Sequence, residues 1–119
     1  MSKPTLLVEV VFLPSEESGR QSVPVFGTQA EYRPNLVVQD RTVRRARMIG
    51  NAVDERYLAV SFLDGPRQFA FGETIRCLLR LNYFPDVDYA ELTPGTSFTV
   101  REGAHVVAHG VVLERRDAG

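Results

Sequence analysis

Cysteine is almost absent from this chain of 119 residues, in which Cys77 is the only one. A lone cysteine excludes an intramolecular disulfide and a zinc site built from several thiolates. Cysteine-poor chains are typical of reducing compartments, so we expect a cytoplasmic protein. The apolar stretch near the N terminus is interrupted by Glu9, which does not fit a secretory signal, and no apolar run approaches the ~20 residues of a membrane helix. We expect no membrane partner.

An excess of charge of one sign is also missing. Fourteen Lys and Arg residues face fifteen Asp and Glu residues, which leaves a formal net charge of -1. With 44% hydrophobic residues, the composition is that of an ordinary globular protein. Balanced charge excludes a histone-like protein that binds nucleic acid through its overall field. The length predicts a single domain over residues 1–119.

The motifs of several enzyme classes are missing as well. The sequence contains no phosphate loop of the GxxxxGK[ST] type, no glycine fingerprint for dinucleotides and no G-x-S-x-G nucleophile elbow. His105 and His109 lie in a strand-like run, where residues four apart are ~13 Å from each other, too far to hold one metal ion. We therefore expect no catalytic residues, no cofactor and no metal site.

The apolar residues that are present recur mostly at a period of two. The alternating or β-branched runs are residues 6–13, 58–62, 75–81, 98–101 and 106–113. Turn-forming pairs such as Asp64–Gly65 and Glu102–Gly103, which suit tight connections, separate them. This pattern predicts an all-β sandwich or small barrel, and closure into a barrel removes exposed strand edges. In the fourth run we expect Thr99 and Arg101 to face the solvent.

Residues 40–56, DRTVRRARMIGNAVDER, break this alternation, and we call them the basic segment. Arg41, Arg44, Arg45 and Arg47 fall within seven positions of it. Because it has too few apolar residues for a core strand, we predict a long surface loop with room for a short helical turn. Long loops in compact domains often carry function, and the arginine fork suits carboxylates and phosphates. The basic segment is therefore either an interaction loop or a solvated insertion.

The C-terminal stretch SFTVREGAHVVAHGVV resembles the last strands of the C-terminal β-barrel domain of elongation factor Tu, which carry a similar F-x-[IV]-R-E-G-x-x-V-x-x-G-V-V pattern. The matching residues are Phe98, Val100, Arg101, Glu102, Gly103, Val107, Gly110, Val111 and Val112. Nearer the N terminus, Gly19–Arg20 and Tyr32–Arg33–Pro34 are similar to that domain's Gly-Arg turn and Y-R-P element. The resemblance extends over nearly the whole chain and implies an all-β, six-stranded antiparallel barrel of Greek-key type.

In that family the barrel is one of three domains, and the GTPase chemistry lies in a different one. The barrel helps to hold the T-stem of aminoacyl-tRNA and packs against the GTPase domain. For this chain the resemblance implies a free-standing barrel without catalytic activity, in which the basic segment is an insertion. Two changes follow the Arg101–Glu102–Gly103 sequence. Ala104 occupies the position at which the family has a second glycine, and His105 and Val106 occupy the positions of an Arg-Thr pair. These departures make RNA the alternative partner, not the leading one.

We therefore expect a non-catalytic binding module that engages a protein or ribonucleoprotein partner, with binding of tRNA or other RNA as the alternative. The residues expected to contact the partner are Arg20, Arg33, Arg41, Arg44, Arg45, Arg47, Arg101 and His105. Tyr83, Phe84 and Leu92 are candidates for an apolar surface, through which two copies of the chain could form a homo-oligomer.

Overall fold

Six strands close a barrel in the computed structural model, which describes residues 3–27 and 30–117. The barrel strands are β1 (Thr5–Phe12), β2 (Asn35–Val38), β5 (Leu58–Asp64), β6 (Thr74–Leu81), β7 (Ser97–Glu102) and β8 (His105–Arg116). They follow one another in the order β1-β6-β5-β2-β7-β8, and β8 pairs with β1 to close the barrel. Every neighbouring pair is antiparallel. The expected all-β, six-stranded antiparallel barrel is confirmed.

Helical structure within the described residues is confined to a 3-10 turn at Ser15–Glu17. This part of the chain holds no helix of the length and hydropathy that a bilayer crossing requires.

The alternating residues of the strands fill the barrel, as the period of two predicted. The side chains of Leu6, Val8, Val10 and Phe12 in β1 are all fully buried. Alternate residues of β5 and β6 lie opposite them, so three antiparallel strands contribute one continuous apolar interior. The largest of the other buried side chains in this core are Tyr89, Phe62, Phe98, Leu36, Leu79, Leu81 and Leu92.

One barrel strand and one connection differ from the sequence expectations. The alternation did not reveal β2, because it has only four residues and its two central ones, Leu36 and Val37, are both buried. Asp64–Gly65 does not form a tight turn either. It opens a longer connection to β6 in which the ring of Phe26 lies against Gly65, leaving no room there for a Cβ atom.

The outer face of β7 is not exposed to solvent, which contradicts the prediction for Thr99 and Arg101. Both side chains are fully buried although they point away from the barrel interior that holds Phe98 and Val100. The basic segment and the residue before it, Gln39, cover this face. The period of two correctly separated the two faces of β7 but gave no information about what covers the outer one.

The basic segment contains a small β-hairpin and no helical turn. Its strands are β3 (Met48–Ile49) and β4 (Ala52–Val53), which pair in an antiparallel manner and form a sheet separate from the barrel. Gly50, with φ of +61°, is the first of the two turn residues. A positive φ at this position is typical of the type II′ turn, where glycine carries no steric cost.

Candidate functional site

A buried ion pair fixes the basic segment on the barrel. The guanidinium of Arg101 donates two parallel hydrogen bonds of 2.7 Å to the carboxylate of Glu55, and its Nη2 also donates to Gln39 at 2.7 Å. Its Nε donates to the hydroxyl of Thr99 at 3.1 Å, and the ring of Tyr57 lies 5.8 Å from the guanidinium carbon. The side chain of Arg101 is completely buried and that of Glu55 is 5% exposed. All of the arginine's donor nitrogens are therefore satisfied inside the protein.

The electrostatics of this pair favour the ionised carboxylate. Burial by itself raises the pKa of Glu55, but the hydrogen bonds and the positive charge of Arg101 outweigh it, so the pKa lies below its ordinary value. Arg101 is one of the residues predicted to contact a partner. Its guanidinium is inaccessible in this conformation, and we interpret it as a residue that positions the basic segment.

The β3–β4 hairpin projects apolar side chains into solvent. Met48 is 47% exposed, Ile49 67% and Val53 39%. At the base of the hairpin, Arg47 donates from Nε to the backbone oxygen of Asp54 at 2.9 Å and forms an ion pair with its carboxylate at 3.2 Å. The backbone N–H of Asp54 donates to the backbone oxygen of Arg47 at 2.7 Å. Arg47 and Asp54 therefore close the base of the hairpin, because each donates a hydrogen bond to the backbone oxygen of the other.

Sequence reasoning did not single out these apolar hairpin residues. The available signal was the Gly50–Asn51 pair between two short apolar pairs, because such dipeptides favour two-residue hairpin turns. The four surrounding arginines dominated the interpretation of the segment as a loop.

The first part of the basic segment lies on the outer face of β8. Arg41 donates from Nε to Nδ1 of His109 at 3.0 Å, and Arg45 forms a backbone bridge with His105. Arg44 donates to the backbone oxygen of Arg41 at 2.5 Å. Burial, together with the charges of Arg41 and Arg44, lowers the pKa of His109 to about 4, so its ring is neutral at pH 7 and can accept this hydrogen bond.

Three arginines of this stretch are not neutralised by a direct ion pair with a described residue. Arg41, Arg44 and Arg45 form no ion pair with any of residues 3–27 and 30–117, unlike Arg47 and Arg101. Their guanidinium groups therefore form no direct ion pair within the described part of the chain, although Glu16 and Glu17 line the same cavity as Arg44 and Arg45.

Two surface cavities connect the predicted contact residues. One of about 340 Å³ is lined by Arg20, His105 and residues 21 and 22, with Glu102 and Val107. Another of about 340 Å³ lies between Arg44 and Arg45 on one side and residues 16–18 on the other. Since Arg45 and His105 are bridged through their backbones, the two cavities lie on the same side of the barrel.

Arg20 is held by the barrel at the edge of this region. It forms an ion pair with Glu102, and its guanidinium carbon lies 5.3 Å from the centre of the Tyr32 ring. The hydroxyl of Tyr32 donates to the same carboxylate at 2.5 Å. Arg33, by contrast, is exposed and makes no ion pair within the described residues, and no contact joins it to the basic segment.

The structure thus brings Arg20, Arg44, Arg45 and His105 to one side of the barrel, with Arg41 on the neighbouring outer face of β8. Arg47 lines the cavity at the base of the hairpin, and Arg101 is buried.

A third cavity, of about 290 Å³, lies at the base of the hairpin. Its apolar walls come from Val37, Val38 and Leu58, and its polar walls from residues 39, 47, 55, 56 and 91. Arg56 at its rim pairs with Glu91 at 3.4 Å. The cavity is therefore apolar on the barrel side and charged at the rim.

Of the three residues expected to form an apolar surface, one is strongly exposed. Tyr83 is 54% exposed, Phe84 is half-buried, and Leu92 lies fully inside the core. The prediction for Leu92 was wrong because the residues before β7 fold back onto the barrel end, where Tyr89 is also buried. Within the described residues, no group of three His, Cys, Asp or Glu side chains is arranged to hold a metal ion.

Comparison with known proteins identified no relative: no family model and no curated protein matches the chain. The resemblance to the elongation factor Tu barrel therefore rests on the sequence motifs given above.

Proposed function

We propose that this chain is a non-catalytic binding module, similar to the C-terminal barrel of elongation factor Tu, that engages a protein or ribonucleoprotein partner. The contact surface is formed by the basic segment and by the outer faces of β7 and β8 on which it lies, and we call it the basic face. Of the predicted residues, Arg20, Arg41, Arg44, Arg45, Arg47 and His105 belong to it or border it.

The observation that carries this proposal is the way in which the basic segment is fixed. Burying the charges of Arg101 and Glu55 costs several kcal/mol per ion. A solvated insertion without a function would not need this buried pair. The Arg101–Glu55 pair holds the segment in one conformation while Arg45 and Ile49 stay exposed. A surface that is already ordered loses less conformational entropy when a partner binds, which favours an interaction role.

The proposal is tested by removing two free arginines of the basic face. The double variant Arg44→Ala with Arg45→Ala is compared with Arg67→Ala with Arg76→Ala, which removes the same charge from exposed arginines elsewhere that likewise form no ion pair with a described residue. The partner is captured with the tagged wild-type chain from its source cells, purified, and titrated against all three proteins. We expect affinity about tenfold or more weaker for the first variant and nearly unchanged for the second. Equal affinities would contradict the proposal.

RNA is the second candidate partner, because Arg41, Arg44 and Arg45 lie close together in the chain and none of them forms a direct ion pair with a described residue. Guanidinium groups in this state suit phosphate oxygens. Retention of tRNA on the immobilised chain at two salt concentrations tests this candidate. Each phosphate that the double arginine variant no longer neutralises should reduce the log-log salt slope by ~0.7–0.9. Retention that does not depend on salt would exclude it.

A cytoplasmic location also remains part of the proposal. Cys77 is buried, and burial with the nearby charge of Asp64 raises the pKa of its thiol to about 12. Such a thiol is unreactive, so the chain contributes no exposed cysteine to an intermolecular disulfide. Fractionation of source cells with an antibody against the chain checks the location.

A further inference from the structure

The β3–β4 hairpin carries three of the five large hydrophobic residues that are exposed in the described chain. The large hydrophobic residues that are exposed in this part of the chain are Val25, Met48, Ile49, Val53 and Tyr83. Three of these five lie within six consecutive positions of the hairpin, whereas the other two stand alone. Exposed hydrophobic residues scattered singly need no explanation, but a cluster at the tip of an ordered element marks an interaction site.

We propose, on the basis of the binding function above, that this hairpin and the cavity at its base dock a protein segment that carries an apolar side chain flanked by carboxylates. The cavity of about 290 Å³, with Val38 and Leu58 in its wall, is at the lower end of the size of ligand sites. It is therefore suited to a single apolar side chain. Arg47, which lines the cavity, is followed directly by Met48, and Met48 pairs with Val53 across the hairpin, so these two apolar side chains share one face of it while Ile49 lies on the other.

The charge around the hairpin selects the flanking residues of the partner. The basic segment contains five arginines and three carboxylates, which gives +2, so the remainder of a chain with net charge -1 carries -3. Arg47 and Arg56 line the cavity with side chains 73% and 51% exposed. Each already pairs with one exposed carboxylate, that of Asp54 or Glu91, and such solvent-exposed pairs are weak enough for a partner's carboxylate to join or replace them. Carboxylates beside the apolar side chain would meet these arginines, which improves specificity and the rate of association.

A nucleic acid fits the hairpin less well than a protein does. Proteins that bind single-stranded nucleic acid stack bases on aromatic rings, and the basic segment contains no aromatic residue. Carboxylates also interrupt the positive charge, with Glu16 and Glu17 beside Arg44 and Arg45, and Glu91 beside Arg56. These acids divide the positive charge into short patches, which suit the isolated carboxylates of a peptide better than the continuous negative charge of a polyphosphate or an anionic lipid surface.

A second copy of the chain is a poor occupant for an electrostatic reason. In a twofold dimer the same surface meets itself, so two segments of charge +2 would be placed against each other. A partner with acidic residues avoids this repulsion. The hairpin is held in one conformation by the contacts between Arg47 and Asp54 and by the Arg101–Glu55 pair. Because it is already ordered, it loses little conformational entropy when a partner docks.

The test selects peptides from a phage-displayed library of random 12-residue peptides on the immobilised full-length chain. Selected peptides are synthesised with a fluorophore and titrated against the wild type and two variants. The first variant is Met48→Ser with Ile49→Ser. The matched control is Val25→Ser with Tyr83→Ser, which removes two equally exposed apolar residues elsewhere. Circular dichroism and thermal midpoints establish that both variants are folded.

We expect the selected peptides to combine Leu, Ile, Phe or Tyr with Asp or Glu. Their affinity should fall by about tenfold or more in the hairpin variant and by less than about twofold in the control. Failure to select any peptide, equal binding to both variants, or selection of basic peptides would each overturn the inference. Two other results would assign the surface to a different occupant and overturn the inference as well. One is binding to vesicles of phosphatidylcholine with phosphatidylserine that disappears in the hairpin variant, and the other is dimerisation in light scattering that disappears in the same variant.

The arginine variants distinguish a failure of this inference from a failure of the proposed function. If no peptide binds the hairpin while a captured partner still depends on Arg44 and Arg45, the inference fails and the function of the basic face stands. If peptides depend on Ile49 while the captured partner ignores both arginines, the hairpin site stands and the role of the basic face fails.

Discussion

Arg101 and Glu55 form a buried, bidentate ion pair although 46 residues separate them in the chain. The arginine comes from a barrel strand and the glutamate from the end of the basic segment. The pair therefore ties an irregular stretch of chain to a regular scaffold. Arg101, which the sequence placed among the partner contacts, is buried and holds the basic segment in position.

Replacing Glu55 by alanine should destabilise the protein strongly. It leaves the guanidinium of Arg101 buried without its counterion, which typically costs about 3–5 kcal/mol. We expect a fall in the thermal midpoint of roughly 10 °C or more. The double variant Arg101→Met with Glu55→Leu removes both charges and should be more stable than the single variant. A loss of less than about 1 kcal/mol in the single variant would contradict the structural role.

Stability should depend on pH through His109. Its pKa in the folded protein is about 4, below the ordinary value of 6.5, so the unfolded chain binds the proton first as the pH falls. The free energy of unfolding should therefore decrease between pH 6.5 and 4, and the histidine contributes no further change below that window. Urea unfolding of the wild type and of His109→Gln measures this, and the variant should lose part of the slope. His105→Gln is the control that should retain it.

A second loss of stability should appear at lower pH because of Glu55. Its pKa is lowered from an ordinary value of 4.5, since the contacts with Arg101 outweigh the opposing effect of burial. The contribution of the ion pair is thus complete above about pH 4.5 and disappears as the pH falls towards the folded pKa. In the double variant without either charge, this acidic phase should be absent.

A methyl group added at position 110 should disturb the packing of the barrel. In β8, a Cβ on Gly110 would collide with the backbone oxygen of Glu9 and lie 2.7 Å from Cζ of Phe98. Both neighbours belong to adjacent strands and have little room to move, so Gly110→Ala should cost roughly 1–3 kcal/mol. Chemical denaturation checks this value. An unchanged unfolding midpoint would mean that β1 can shift outwards without cost.

The free arginines of the basic face should matter little for stability. Neither Arg44 nor Arg45 makes an ion pair within the described residues. Arg44 is half-buried and donates to the backbone oxygens of Arg41 and Val43, which contributes about 1 kcal/mol, whereas the exposed Arg45 contributes no more than about 0.5 kcal/mol. The double alanine variant should therefore unfold within a few degrees of the wild type. A large fall in its thermal midpoint would show that the arginines are structural.

Nucleotide binding should be undetectable. The sequence lacks the phosphate loop of GTPases and ATPases, whose backbone N–H groups hold the phosphates. Titration calorimetry with GTP and ATP should give no micromolar affinity. A measurable heat of binding that saturates would contradict the proposal that this chain is a non-catalytic module.

The period of two in the sequence predicted an all-β fold and most of its core, and it left a sandwich and a barrel as alternatives. In β1 and β6 the apolar residues recur at every second position, and this period is the geometry of a strand with one face in the core. The sequence also located the basic segment correctly, because its residues follow no such period. These are local properties, which neighbouring residues report without reference to the rest of the chain.

Only the tertiary structure decided how the candidate site is built. The alternation placed Arg101 on the outer face of β7, yet it could not indicate that Glu55, 46 residues away, folds over that face and removes the arginine from water. Nor could it show that Met48 and Ile49 stay exposed, because two-residue strands are too short to display a period. Burial and ion pairing depend on which distant segments meet in space, and that is decided by the packing of the whole chain.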